Sequence, residues 1–315
     1  MKLMVPARSL NMLNEMLQSK ADEIYIGLKP EGFRQLSFDG RFQTISEHPA
    51  HCQSSDELEA IINRCKAEGV RVNFMANARA IPQKYEDAFI DHVRLATEMG
   101  VDSITIGSFQ SAMLINNAGI TTPLVAGSVL GITNLAYSSL LKDHNILRIT
   151  LPHFMTLSEI GEFKDEGFEI IVKGNFTSGG APGFCQLYES PNHPDFGDGT
   201  RSTYTITRKN NVIADNLQFL DAAGDCALCS LTELFEAGVS TVQLIGREAP
   251  NAVTMGMVVD MFKKWSRMYG EGKTAAEIKS HLSKCDVMWV MKWQPRFCEK
   301  QRCTYLPTPN TKAYV

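Results

Sequence analysis

The fold is decided by the stretch Glu98-Met99-Gly100-Val101, which is followed by the β-branched run Ile104-Thr105-Ile106. A segment of helical period ends in glycine, and a strand-like run begins almost at once. Glycine suits this position because the residue after a helix commonly adopts the left-handed conformation, and apolar runs of this kind indicate strands buried on both faces. The same junction occurs at four places, residues 67–70, 98–101, 165–168 and 236–239. The chain is therefore predicted to repeat a βα unit.

Weaker copies of this pattern complete a set of about eight predicted strands. They are residues 3–6, 23–28, 71–77, 103–107, 123–127, 147–152, 169–174 and 241–246. Helical segments separate them, for example residues 54–67 and 85–99, where apolar residues recur at helical spacing. Eight alternating units over residues 1–270 match an α/β fold of the TIM type, a (β/α)8 barrel, better than an open doubly wound sheet, which usually has fewer strands.

Two segments exceed what such a barrel needs. Residues 175–225 form a long loop after strand seven, with a predicted hairpin around Arg208-Lys209-Asn210. Long βα loops lie on the carboxyl face, where barrel enzymes keep their active sites. Residues 271–315 form a C-terminal extension that carries Cys298 and Cys303 and is expected to pack back onto the barrel.

Charge and composition narrow the classes of partner. The 315 residues carry a formal net charge of -4 and a sequence pI of about 6.0. This balance gives no electrostatic attraction to nucleic acid or anionic lipid, and the sequence has neither a leader pattern nor an apolar run long enough to cross a membrane. A cytoplasmic protein with a small-molecule substrate is expected.

Five cysteines form the strongest chemical signal. Cys226 and Cys229 are a C-x-x-C pair, Cys298 and Cys303 a C-x4-C pair, and Cys185 lies in the long loop. Disulfides are not expected in a large chain with no secretory signal, whereas closely spaced thiolates can reach one metal or cluster. These five are the predicted ligand set for zinc or an iron-sulfur cluster. Thioredoxin-like exchange at the C-x-x-C pair is less favoured, and structural roles are expected for Cys52, Cys65 and Cys285.

Polar residues that follow strands predict a substrate site at the barrel mouth. They are Arg8, Asn77, Arg79, His153, Asn175, Arg247 and Glu248. Arg8, Arg79 and Arg247 are predicted to converge on an anionic substrate, because guanidinium groups match carboxylates; the alternative is that they pair with rim acids. Asn77 and Asn175 are further candidates for substrate binding.

Candidate catalytic groups are Arg247, Glu248 and His153, although a hydrogen-bonded rim histidine is an alternative for His153. A zinc site at residues 48–52, His-Pro-Ala-His-Cys, lacks further ligands and is not favoured.

Several of these segments resemble the collagenase-like peptidase family U32. They are Leu3-Met4-Val5-Pro6-Ala7-Arg8-Ser9-Leu10 and residues 21–27, 234–239 and 244–247. Gly183-Phe184-Cys185-Gln186-Leu187 is similar to the family's segment of cluster cysteines. The resemblance implies a barrel with a four-iron, four-sulfur cluster on four cysteines, which supports oxygen-independent hydroxylation of RNA bases or of a quinone precursor ring. Cys185, Cys226 and Cys229 would be ligands, with a fourth from Cys298 or Cys303.

The favoured hypothesis is an iron-sulfur enzyme, or a subunit of one, that acts on a small carboxylated or aromatic substrate. RNA is disfavoured by the acidic balance. Two alternatives stay open: a metal-dependent hydrolase with zinc in the cysteine site, and a non-catalytic, cluster-carrying partner subunit. A homologous partner, in a homodimer or heterodimer, is a possible companion.

Overall fold

The computed structural model describes residues 1–31, 37–39, 44–45, 48–175, 204–217, 226–247, 249, 251–298 and 305. In these parts of the chain the strands are β1 Lys2–Pro6, β2 Glu23–Ile26, β3 Thr44–Ile45, β4 His48–Pro49, β5 Arg71–Ala76, β6 Ser103–Ile106, β7 Leu124–Ala126, β8 Ile146–Thr150, β9 Glu169–Lys173, β10 Tyr204–Arg208, β11 Asn211–Leu217 and β12 Val239–Gln243. The α-helices are α1 Leu10–Gln18, α2 Ser55–Ala67, α3 Glu86–Met99, α4 Phe109–Asn117, α5 Ser138–Asp143, α6 Leu157–Gly161, α7 Leu231–Glu236, α8 Ala252–Gly270 and α9 Ala275–Cys285. A π-helical segment, Trp289–Cys298, follows α9.

Eight parallel strands close a barrel in the order β1-β12-β9-β8-β7-β6-β5-β2. Helices lie between consecutive barrel strands, so the predicted TIM-type fold is confirmed. All eight predicted strands overlap an observed one, and the hairpin predicted inside the long loop is the antiparallel pair β10-β11.

The four junctions have the predicted left-handed glycines. Gly100 ends α3 with φ of 86°, and its N–H donates to the Thr97 carbonyl oxygen. The corresponding glycines at positions 69, 167 and 238 also have positive φ. Because only glycine adopts this backbone without steric cost, the chain turns sharply from each helix into the next strand.

The barrel interior changes character along its axis. One buried cluster, with a residue from each of five strands, consists of Met4, Tyr25, Met75, Val125 and Ile171. The amino half of the interior is polar. Asn73 donates to Ser103 and accepts from Thr105, and all three side chains are buried. The aliphatic core lies instead between the outer face of the strands and the helices.

The C-terminal extension packs on the barrel. Helix α9 begins with a capping box between Thr274 and Glu277 and buries Ile278 and Leu282. Beyond it, the Trp289 side chain is fully buried. Among the described helices, none is both long enough and apolar enough to cross a bilayer.

Candidate functional site

Two of the predicted arginines meet at the carboxyl end of the barrel. Arg8 follows β1 and Arg247 follows β12, and these strands are neighbours in the sheet. The Nη1 of Arg8 donates to the carbonyl oxygen of Arg247. Arg79 is half-buried after β5, which β2 separates from β1. Arg8 therefore contacts the backbone of Arg247, whereas the convergence of the Arg8, Arg79 and Arg247 guanidinium groups on one anion site stays a prediction.

The Arg247 guanidinium is buried inside the mouth. Its Nη1 lies 2.5 Å from Oδ2 of Asp39, and its exposed side-chain fraction is 2%. The guanidinium carbon lies 5.7 Å from the centroid of the Tyr25 ring, within the range of a cation–π contact. The Tyr25 hydroxyl donates to the carbonyl oxygen of Leu244 over 3.0 Å. The Arg247 guanidinium therefore lies at the carboxyl end of the interior cluster, next to Tyr25.

Asp39 also binds a histidine. The Nε2 of His51 lies 2.8 Å from the second carboxylate oxygen, Oδ1, and neither side chain has any exposed surface. His51 is held in place by its neighbour, because the Cys52 N–H donates to the Gly27 carbonyl oxygen over 2.8 Å. One buried carboxylate therefore joins Arg247 to His51.

Gly27 makes room for this buried group. A Cβ at position 27 would lie 2.6 Å from Nη1 of Arg247, 2.8 Å from Cδ2 of His51 and 3.0 Å from Oδ2 of Asp39. Side chains alternate along a strand, so Gly27 shares its direction with Tyr25 and points toward the barrel axis. The three polar side chains occupy the space that a larger residue would fill.

Asn175 fixes the segment that leads to Arg247. Its Nδ2 donates to the Ile245 carbonyl oxygen over 2.8 Å, and its Oδ1 accepts from the Ile245 N–H over 2.5 Å. Both polar atoms of the amide thus hold the backbone two residues before Arg247. Asn175 is a positioning residue here, and its direct contact with a substrate stays a prediction.

Asn77 and His153 present buried polar atoms that have no hydrogen-bond partner within the described part of the chain. They are Oδ1 of Asn77 and Nδ1 of His153. Burial, together with the nearby Lys173 charge, lowers the pKa of His153 to about 4. His153 is therefore neutral at pH 7 and able to accept a hydrogen bond from a ligand.

The C-x-x-C pair lies at the end of β9. Cys226 is buried, and Cys229 is partly buried and lies within the turn Leu228–Ser230. The Ala227 N–H donates to the Gly174 carbonyl oxygen over 2.9 Å. Two thiols three residues apart on one turn are a donor set that suits zinc or an iron-sulfur cluster.

The other predicted metal ligands are only partly covered by the structure. Cys185 and Cys303 lie outside the described residues, as does the catalytic candidate Glu248. Cys298 ends the π-helical segment, and its side chain is not described. Within the described residues, no three His, Cys, Asp or Glu side chains are grouped to hold a metal ion. The ligand set stays a prediction.

The tail returns to the same strand end. Tyr305 is buried, and its hydroxyl donates to the Lys173 carbonyl oxygen over 3.3 Å. Lys173 is the last residue of β9 and immediately precedes Gly174. The carbonyls of two consecutive residues therefore accept hydrogen bonds from the tail and from the C-x-x-C turn.

A family model, Peptidase family U32, matches residues 8–300. The chain belongs to peptidase family U32. The resemblance seen in the sequence is thereby confirmed, although membership alone names no reaction. The search of curated proteins finds no significant match.

Solved structures similar to this U32 protein include barrels of low sequence identity. A U32 peptidase has a TM-score of 0.45 and 12% identity, with coverage of 78% of this chain and 92% of the other. A dihydrodipicolinate synthase has a TM-score of 0.48 and 12% identity, with coverage of 96% of this chain and 90% of the other. The dihydrodipicolinate synthase from Agrobacterium tumefaciens has a TM-score of 0.44 and 9% identity, with coverage of 95% of this chain and 86% of the other.

Sequence reasoning missed Asp39 entirely and considered His51 only as a zinc ligand. Asp39 is a single carboxylate in a loop, a pattern that any surface turn also shows. The one available signal was Gly27, which continues the inward-facing series of β2 with a residue that has no side chain.

Proposed function

We propose that this U32 protein is an iron-sulfur enzyme that acts on a small carboxylated or aromatic substrate at the carboxyl mouth of its barrel. An oxygen-independent hydroxylation is the reaction of the family that suits such a site. The proposal combines a cysteine site at the end of β9 with an anion site at the ends of β1 and β12. These two sites open on the same face because the strands are parallel.

The observation that carries the proposal is the pair of hydrogen bonds at the end of β9. Ala227 binds the Gly174 carbonyl, and Tyr305 binds the Lys173 carbonyl. Cys226 is one residue from Ala227, and Cys303 is two residues from Tyr305. Two residues span at most about 7 Å between Cα atoms, to which the Tyr305 side chain that reaches the carbonyl adds its own length. The C-x-x-C turn and the cysteine-bearing tail are therefore anchored at one place.

Cys226 and Cys229 would hold the cluster together with Cys185 and a tail cysteine, Cys303 or Cys298. When bound, such a cluster supplies one-electron transfer at a potential that its surroundings set. The side chains at the mouth would bind and orient the substrate.

A substrate carboxylate would bind between Arg8 and Arg247. The Nε of Arg247 is buried and has no hydrogen-bond partner among the residues that the structure describes, so it is able to donate to a ligand oxygen. Asp39 neutralises the buried guanidinium, while Arg8 is half-buried and adds a second positive charge at the rim. Asn175 holds the backbone before Arg247, and neutral His153 would accept a hydrogen bond from the substrate. Glu248, next to Arg247 in sequence, remains the candidate for proton transfer at the rim.

The experiment is iron and sulfide analysis of protein purified without oxygen. The control variant Cys285→Ser, a change at an exposed cysteine, should contain as much iron and sulfide as the wild-type protein. The double variant Cys226→Ser/Cys229→Ser should contain neither. Full iron and sulfide content in the double variant would refute the assignment.

The same preparation separates the two alternatives. Zinc in place of iron would favour a metal-dependent hydrolase. A cluster-containing chain that turns over only with a second subunit would be a partner protein.

A further inference from the structure

Residues 103–141 contain no Lys, Arg, Asp or Glu, although charged residues make up 21% of the chain. Buried strands explain only part of this stretch, because it also includes α4 and the start of α5 on the outside of the barrel. The outer helices α2 and α3 carry acidic and basic residues on their exposed sides, as protein surfaces generally do. Helix α4 carries neither kind. Burial in the barrel therefore does not account for the missing charges.

Large apolar side chains are exposed on this uncharged surface. Met113 of α4 is 54% exposed, and Leu140 of α5 is 39% exposed. Tyr137, directly before α5, is 38% exposed. Asn116 and Asn117, at the end of α4, are exposed as well. Exposed aromatic residues and methionine, together with a lack of charge, are typical of the core of a protein–protein interface.

Contacts between the two helices make these side chains one continuous surface, the α4–α5 face. The rings of Phe109 and Tyr137 are stacked, with centroids 6.4 Å apart and an interplanar angle of 16°. The side chains of Asn116 and His144 are hydrogen-bonded over 3.3 Å. Because residues three and four apart are neighbours on a helix, Met113 lies between Phe109 and Asn116 on the same side of α4.

We propose that the α4–α5 face binds a second copy of this chain in a two-fold dimer. Like charges across an interface oppose binding, and each chain has a net charge of -4, so a face without charges is the one on which two copies meet without repulsion. Asn side chains contain both a donor and an acceptor, so the same amide on two copies is self-complementary. At the edge of the face, Lys142 and Asp143 are exposed neighbours of opposite sign, which also suit an identical edge related by a two-fold axis. These features favour a second copy over a partner of opposite charge.

A second group of exposed apolar side chains, on α8, suits this role less well. Val253 is 52% exposed and Met257 is 49% exposed. One turn beyond Met257, Asp260 is exposed too. A two-fold interface on α8 would bring two copies of this acidic residue to one interface. The α8 group therefore provides a control with matched exposure.

The mass of the protein in solution tests the proposal. Sedimentation equilibrium of protein purified without oxygen, between about 1 and 100 μM, should show a species of twice the 35.0 kDa of one chain. Met113→Glu should raise the dissociation constant of this dimer by about a hundredfold or more, because two-fold symmetry places the new charge in the interface twice. Met257→Glu, the control on α8, should leave the dissociation constant unchanged.

Asn117→Lys separates loss of the dimer from loss of folding. Asn117 is the exposed last residue of α4, and a Lys in the last turn of a helix interacts favourably with the helix dipole. This variant should keep the circular dichroism spectrum of the wild-type protein and still dissociate. A wild-type protein that is monomeric over the whole concentration range would overturn the proposal. A dimer that persists in both Met113→Glu and Asn117→Lys, or that only Met257→Glu dissociates, would overturn it as well.

Discussion

Arg148 crosses the barrel from β8 and binds Glu23 of β2 through two parallel hydrogen bonds, each 2.8 Å long. The two residues are 125 positions apart in sequence, and the Glu23 side chain has no exposed surface. A second carboxylate, Glu169 of β9, lies 3.1 Å from Nε of the same arginine. The interior of the amino half of the barrel therefore contains a network of ion pairs rather than only apolar side chains.

Glu23→Gln should destabilise the fold strongly. The change leaves the Arg148 charge buried with one carboxylate fewer, and breaking a buried pair in this way costs about 3–5 kcal/mol. Glu68→Gln is the matched control, because it breaks the exposed helical pair with Arg64, which contributes less than about 1 kcal/mol. The free energy of unfolding in urea measures both. Similar losses for the two variants would contradict the role given to Glu23.

Gly27→Ala should disturb the mouth of the barrel. The added methyl group would meet Arg247, His51 and Asp39 at 3.0 Å or less, and overpacking of this kind costs about 1–3 kcal/mol. We also expect weaker carboxylate binding, because the buried cluster has to shift. Gly161→Ala is the control, since a Cβ there has no neighbour within 4 Å. Calorimetric titration with phenylacetate and urea unfolding measure the two effects. Unchanged binding in Gly27→Ala would argue against a mouth site.

Asn175→Ala should uncouple the loop from Arg247. The variant removes the partners of both the N–H and the carbonyl of Ile245, at a cost of about 1–3 kcal/mol. Carboxylate affinity should fall as well, because the backbone that positions Arg247 is released. If stability falls while affinity is retained, Asn175 has only a structural role.

The barrel was predictable from the sequence because its signals are local. The junction at Gly100 needs only a few consecutive residues, and the same holds at the three other junctions. The positions of Arg8 and Arg247 at the carboxyl end of the barrel were also predictable, since each lies within a few residues of a strand end.

The Asp39–His51 pair was not predictable in the same way. It joins two loop residues 12 positions apart, and their approach depends on the bend of the chain after β2. Likewise, nothing local marks Glu23 and Arg148 as partners, because each is a charged residue within an otherwise apolar strand. Charges inside a barrel are identified only when the closed sheet brings them together.

Acid should weaken the fold through two histidines. Burial lowers the pKa of His92 and of His153 to about 4 each, below the unfolded value of about 6.5. The unfolded chain thus binds protons more tightly, so the free energy of unfolding falls as the pH drops from about 6.5 towards 4. Each histidine contributes at most roughly 3 kcal/mol to this loss.

Urea unfolding between about pH 7 and about pH 4 measures this dependence. His92→Gln and His153→Gln should each make the loss smaller, whereas His144→Gln on the outer layer should not. An unchanged loss in both buried variants would show that other groups cause it.

The most direct test of the central claim is an anomalous difference map recorded at the iron absorption edge, from crystals grown without oxygen. The account predicts iron peaks within about 2.3 Å of the sulfurs of Cys226 and Cys229, beside the Tyr305 hydroxyl and on the carboxyl face of the barrel. A protein that contains iron but shows its peaks away from the end of β9, or shows a peak there only at the zinc edge, would contradict it.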